Sequence, residues 1–227
     1  MSSRTPHRRW LTPERMLAGL ARVCWFFTVP FVRYELRGGR CARDLKVGII
    51  AANHRSMYDV VAGLIGLHHF GHYPRLLIER RYVERGLTGP FARAIGAIPV
   101  DRGEGAAALD DAIAALQAGL PILVMPEGRL HRDPDDPTTT GPGKTGVSRL
   151  AVGAGVPVVP AAVLGTASVL PPDAKLPRFN PFRRKHVVMI VADEPLWLDG
   201  DHHRANTDRV MAEIRSMLRD ASAPPQT

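Results

Sequence analysis

Short apolar runs rich in β-branched residues alternate with longer helix-like stretches along most of this 227-residue chain. No other feature limits the fold as much. Residues 46–52 (KVGIIAA), 75–78 (RLLI), 97–100 (AIPV), 121–125 (PILVM), 156–164 (VPVVPAAVL) and 187–191 (VVMIV) have the length and composition of buried strands. Between them the pattern predicts helices. One runs over 60–67 with Ser56 as its N-cap, and another over 82–95, interrupted at Gly89-Pro90. An alanine-rich helix over 104–118 has Gly119 where a C-terminal cap belongs, and a short one covers 145–153. The last, over 206–220, carries Val210, Ile214, Met217 and Leu218 on one side. Such alternation implies a single α/β domain over residues 44–220, with a largely parallel mixed sheet flanked by helices. Residues 221–227 read as a frayed tail. The chain is long enough to bury a core unaided. Its two cysteines, Cys24 and Cys41, exclude a disulfide framework and a four-thiolate zinc site, and a reducing compartment fits them.

Charge divides the chain differently. The net is +8, and residues 1–43 carry nine arginines against Glu14 and Glu35, so the remainder is near neutral. A basic arm on a neutral body points to an anionic surface, nucleic acid or membrane. The arm is also apolar: residues 16–32 read MLAGLARVCWFFTVPFV. That run is too short for a spanning helix, contains Arg22 and Pro30, and lacks a signal-peptide cleavage site. Trp10, Trp25, Phe26, Phe27 and Phe31 suit a membrane interface. Residues 1–43 are therefore expected to form an amphipathic helical segment lying on an anionic membrane surface. A core-packed helix with a solvated basic face fits the same residues. Nucleic acid is not expected, because the basic segment is apolar and no known binding motif is present.

The strongest chemical signal is His54 followed by Asp59, just after the first buried strand. Open α/β sheets bind ligands beyond the carboxyl ends of their strands. Five residues apart is not one helix face, so His54 is expected in the strand-to-helix turn and Asp59 in the first helical turns. The carboxylate then reaches back to one imidazole nitrogen, fixing the tautomer and favouring the imidazolium formed when a substrate hydroxyl loses its proton. A capping aspartate beside a loop histidine meets the same spacing. Arg102, just past the 97–100 strand, is placed to grip a phosphate bidentately. At the end of the 121–125 strand, Glu127 offers a polar anchor and Gly128 permits close backbone approach. The long loop 127–144, rich in Asp, Pro, Thr and Gly, is of the kind that is functional or mobile.

Other motifs fail on context. Gly143-Lys144-Thr145 ends like a nucleotide-binding loop, but Thr138 stands where that loop needs glycine. His68, His69 and His72 have no matching ligand cluster, His202 and His203 lie in a polar loop, and Ser56 is not in a G-x-S-x-G setting. No metal site is expected.

In order, Asn53-His54-x4-Asp59, GAIPVDR at 96–102, Pro126-Glu127-Gly128, the KTGVSRLA stretch at 144–151 and the VPVVP run at 156–160 resemble the glycerolipid acyltransferase family, which includes the 1-acylglycerol-3-phosphate acyltransferases. The resemblance implies that His54 is the general base on an acceptor hydroxyl and that Asp59 orients it. The hydroxyl would attack an acyl thioester directly, with no acyl-enzyme. It implies that Arg102, Glu127, Gly128 and Arg129 hold the acceptor, typically by its phosphate, and that the run ending at Pro160 shapes a substrate pocket. No cofactor is implied beyond the co-substrate, acyl-CoA or an acylated carrier protein. The other substrate is a lysophospholipid, with 1-acylglycerol-3-phosphate giving phosphatidic acid. The implied location is peripheral, on the cytoplasmic face of the cell membrane. Two departures bear on the acceptor: Arg129-Leu130-His131 replaces the family's Thr-Arg-Ser, and Glu79 replaces a lysine. The same chemistry on a glycolipid, another lysolipid or a specialised metabolite is the alternative, and a non-catalytic membrane-binding protein is the alternative of another class.

Overall fold

The computed structural model describes residues 12–38, 46–84, 88–100, 105–133, 136–180 and 182–223. The chain opens with helix α1 (Pro13–Thr28) and strand β1 (Val32–Gly38). β2 (Ile49–Ala52), α2 (Tyr58–Phe70) and β3 (Arg75–Glu79) follow, then the short helices α3 (Arg80–Glu84) and α4 (Thr88–Ala94). Next come β4 (Ile98–Val100), α5 (Gly105–Gln117), β5 (Ile122–Val124) and α6 (Gly146–Ala154). β6 (Val158–Leu164), the one-turn helix α7 (Thr166–Val169), β7 (His186–Ala192) and α8 (His203–Ser222) complete it. The strands form one seven-stranded sheet in the order β1-β7-β6-β2-β5-β3-β4. β6 and β7 pair antiparallel, and the other neighbours pair parallel. The α/β architecture and the mixed, mostly parallel sheet agree with the sequence expectation.

Strand parity divides the interior. Ile49, Ala51, Ile122, Val124, Val158 and Ala162 face one side, where α5, α6 and α8 supply Leu116, Leu150, Val210, Ile214 and Leu218 to the main core. The alternate residues, Ile50, Ala52, Val159 and Ala161, face α2. Those residues form the floor of the site.

Three elements depart from the sequence reading. β1 lies inside the segment assigned to a separate arm, yet it is the sheet's edge strand, in register with β7 from Val32↔His186 to Gly38↔Ala192. Its sequence, VRYELRG, hides it, because only Val32 is buried and arginines occupy two of the three exposed positions. The helix over 82–95 is two helices, with Pro90 in the first turn of α4, where a missing amide proton costs nothing. α8 continues through Ala221 and Ser222, part of the stretch read as tail.

α1 starts at Thr12, whose hydroxyl accepts the Arg15 amide, with Pro13 in the first turn. It packs on α2 through Leu17 and Ala21. Glu14 meets Arg75 at 3.2 Å. Val23, Trp25, Phe26 and Phe27 remain exposed. At its end Thr28 begins a chain of hydroxyls, 2.7 Å to Tyr34 and then 2.6 Å to Tyr58 at the start of α2. Burial pushes the Tyr34 and Tyr58 phenols above their ordinary range. Among the described residues no helix is long and apolar enough to cross a membrane.

Candidate active site

β2 and β6 stop pairing after Ala52↔Ala161. There the buried Asn53 side chain continues the ladder: Nδ2 donates to the Val163 carbonyl at 2.9 Å, and Oδ1 accepts the Val163 amide at 2.8 Å. The strands are thus held apart by one side chain, and the chain turns out of the sheet at His54.

Three contacts fix His54. Its amide donates to Glu127 Oε1 at 2.9 Å, and its carbonyl accepts the His131 amide at 2.7 Å. Its Nδ1 lies 3.0 Å from Asp59 Oδ2. The Asp59 side chain is fully buried, and the same Oδ2 also accepts the Arg55 amide at 2.7 Å and the Ser56 amide at 2.8 Å. Oδ1 has no hydrogen-bond partner among the described residues. A carboxylate only accepts, so Nδ1 carries the proton and Nε2 is left as a base. The histidine keeps 15% of its side chain exposed, enough for a substrate to reach it. The expected turn-and-first-helical-turn arrangement is present. Ser56 sits one residue outside the helix cap Met57, but its hydroxyl still accepts the Tyr58 amide at 3.0 Å and donates to the Leu170 carbonyl at 2.6 Å.

Glu127 faces inward. It is buried, and its second oxygen accepts the Gly141 amide at 2.7 Å, so both oxygens brace backbone. A carboxylate placed toward a phosphate would also repel it. Gly128 turns back with φ +65°, and a Cβ there would lie 2.7 Å from Lys144 Nζ. Lys144 and Arg129 are both exposed, so two cations flank the Gly128 turn. Arg102 lies outside the described residues.

The described residues of the loop 127–144 are clamped to the His54 turn. Besides the Glu127 and His131 contacts, the buried Arg55 guanidinium donates to the Thr139 carbonyl at 2.9 Å and to the Asp133 carbonyl. Sequence reasoning passed over Arg55 and Lys144. Arg55 is one of the unspecified positions of the N-H-x4-D block, and Lys144 carries no role either in the Gly143-Lys144-Thr145 motif that fails on context or at the head of the KTGVSRLA stretch.

Between α2 and the sheet runs a cleft of about 620 Å³, its open mouth included. Asp59, Gly63, Gly66, Leu67 and Phe70 line it from α2, opposite Ala52, Val159, Ala161 and Ile190. Asp59 and Phe70 are eleven residues apart on one helix, a span of about 16 Å. Apart from Asp59 and His72 the lining is apolar; Asp59 is part of the wall, and His54, which it holds, is not among the lining residues. Pro160, expected to shape a substrate pocket, has the other parity and is not among the lining residues; Val159, Ala161 and Val163 of the same strand are. Its missing amide is tolerated because the β6–β7 ladder begins only at Ala161↔Ala192.

Among the described residues no cluster of His, Cys, Asp or Glu could hold a metal ion. His68 instead bonds the Tyr73 hydroxyl at 2.8 Å.

The fold is similar to the crystal structure of the 1-acyl-sn-glycerophosphate (LPA) acyltransferase PlsC from Thermotoga maritima. The TM-score is 0.71 at 18% identity, over 94% of this chain and 81% of that one. No curated protein matches the sequence. The family model named Acyltransferase matches residues 34–164, more than half of the chain, from β1 through the dyad and the Glu127 turn to the end of β6. By that match the chain belongs to the Acyltransferase family.

Proposed function

We propose that this protein moves a fatty acyl group from an acyl thioester to the hydroxyl of a lysophospholipid, with 1-acylglycerol-3-phosphate giving phosphatidic acid. One observation carries the reading: the buried carboxylate that holds the Nδ1 of an imidazole also lines an apolar cleft long enough for an alkyl chain. His54 Nε2 removes the acceptor's hydroxyl proton as the oxygen bonds to the thioester carbonyl carbon. Asp59 stabilises the imidazolium. The tetrahedral intermediate collapses, the C–S bond breaks, and the thiolate takes the proton back from Nε2. No covalent enzyme intermediate is formed. Acyl-coenzyme A and an acylated carrier protein are both competent donors in this scheme.

Arg129 and Lys144 grip the acceptor phosphate from beside the Gly128 turn, and the family resemblance adds Arg102 to them. The exposed aromatic face of α1 rests on the cytoplasmic leaflet, which brings a lipid acceptor to His54. The test is a product screen by mass spectrometry. Purified protein is offered palmitoyl and oleoyl thioesters with lysophosphatidic acid, other lysolipids and glycolipids. Phosphatidic acid as the main product supports the reading. A main product from a glycolipid or an uncharged acceptor replaces the acceptor assignment. No transfer by folded protein to any acceptor supports the non-catalytic alternative.

A further inference from the structure

The near-neutral body of the sequence contains a second basic segment. Residues 171–185, PPDAKLPRFNPFRRK, carry five cations and a single acid, Asp173, which is paired with Arg132 at 2.9 Å. Within it Leu176 is 77% exposed and Phe182 95% exposed, while Lys175, Arg178, Arg183, Arg184 and Lys185 are all exposed beside them. An apolar tip that solvated has no role in holding this fold together.

The segment is anchored by what does not protrude. Phe179 stacks on Phe31 with ring centroids 4.7 Å apart and meets Tyr58 edge-on at 6.4 Å. Lys185 Nζ donates to the Val29 carbonyl at the end of α1 at 2.9 Å. At the segment's start the Leu170 carbonyl accepts from Ser56, two residues from His54. The segment therefore lies between the end of α1 and the catalytic turn. Val23, Phe26 and Phe27 of α1 and Met57 and Val60 at the start of α2 are exposed as well.

We infer that residues 171–185 are a second membrane-docking element, inserting Leu176 and Phe182 into an anionic bilayer while Lys175, Arg178, Arg183 and Arg184 meet lipid phosphates. The inference rests on the membrane placement proposed above for α1. Protruding apolar tips ringed by Lys and Arg are the chemistry of an interfacial anchor. Two anchors beside one turn fix its tilt as well as its distance from the bilayer, so His54 faces the membrane that holds the lipid acceptor.

The test is co-sedimentation of the full chain with vesicles of phosphatidylcholine alone or mixed equally with phosphatidylglycerol. One arginine near an anionic surface changes partitioning about fivefold, so Arg183→Ser with Arg184→Ser should weaken binding to the mixed vesicles by roughly 25-fold. Binding to neutral vesicles should stay unchanged. Leu176→Ser with Phe182→Ser should weaken both. Phe182→Trp, in otherwise unchanged protein, should gain emission that brominated acyl chains quench. The inference is overturned if both loop pairs bind like the parent while Phe26→Ser with Phe27→Ser binds weakly; α1 is then the sole anchor and its placement stands. If the parent chain binds neither vesicle, both readings fall. Loss of oligonucleotide binding in the loop variants, with vesicle binding intact, would assign the segment to nucleic acid and overturn the inference as well.

Discussion

Glu127 and His54 are joined through the backbone: the carboxylate accepts the histidine's own amide at 2.9 Å while its other oxygen accepts Gly141. Both oxygens of the glutamate are spent on backbone amides, and one of those amides is that of His54. Glu127→Gln keeps one acceptor oxygen and turns an amide donor toward a backbone N–H. One buried N–H loses its partner, at a cost of about 1–3 kcal/mol in stability. Steady-state kinetics should show kcat falling with the acceptor KM unchanged. A raised KM at unchanged kcat would return Glu127 to the acceptor site.

His54→Ala should lower turnover by roughly 10²–10⁴. Asp59→Asn separates charge from shape, since an amide oxygen can still receive the Arg55 and Ser56 amides now on Oδ2. Turnover should drop sharply with the melting temperature little moved. Asp59→Ala should lose both, because two buried amides are orphaned. Equal turnover in Asp59→Asn and the parent would deny the carboxylate a role in charge stabilisation.

The cleft can be shortened at one position. A Cβ at Gly63 meets nothing within 4 Å, whereas one at Gly66 would lie 2.9 Å from Ile190. Gly63→Leu should fold, with about 0.5–1 kcal/mol of helix propensity in its favour. It should favour shorter acyl thioesters over palmitoyl in a competition assay. An unchanged chain-length profile would mean that the alkyl chain lies elsewhere.

Arg129→Ala and Lys144→Ala each remove a charge-assisted contact worth about 1.5–3 kcal/mol. The acceptor KM should rise roughly 10- to 150-fold for a phosphorylated acceptor, while the thioester KM stays put. Equal effects on both substrates would make these two cations structural.

The phenols of Tyr34 and Tyr58 titrate above the ordinary value near 10 in the folded protein, chiefly because of burial. Their neutral forms are favoured by folding, so this contribution is complete below about pH 10 and is lost as pH rises through the folded values. Alkaline titration followed by tyrosinate absorbance should show two of the four tyrosines ionising only with unfolding. Tyr34→Phe with Tyr58→Phe should flatten the stability loss over that range.

Most of the sheet was legible because β2, β5 and β6 are buried on both faces and read as unbroken apolar runs. The dyad was legible because a five-residue offset has one sensible geometry across a strand-to-helix turn. β1 was not: an edge strand shows only half a pattern, and its arginines matched the basic arm around it. That arm cannot be excised at residue 36 as one piece, since the cut passes through β1 and removes Tyr34 from beside Tyr58. The inward turn of Glu127 was illegible for another reason. Its partners are backbone amides at positions 54 and 141, which no residue type reveals.

Val32 finds its sheet partner at His186, so most of the chain must be made before the first strand can be placed. Helix α1 has its packing surface as soon as α2 exists, but the strand that follows it has none until β7 appears. During synthesis the aromatic face of α1 is on display long before the sheet can close. Any chain cut short of residue 186 keeps both that face and an unpaired strand. A bilayer close to the site of synthesis would shelter the face through that interval, and the docked position of α1 would then be set before the catalytic domain finishes folding around it.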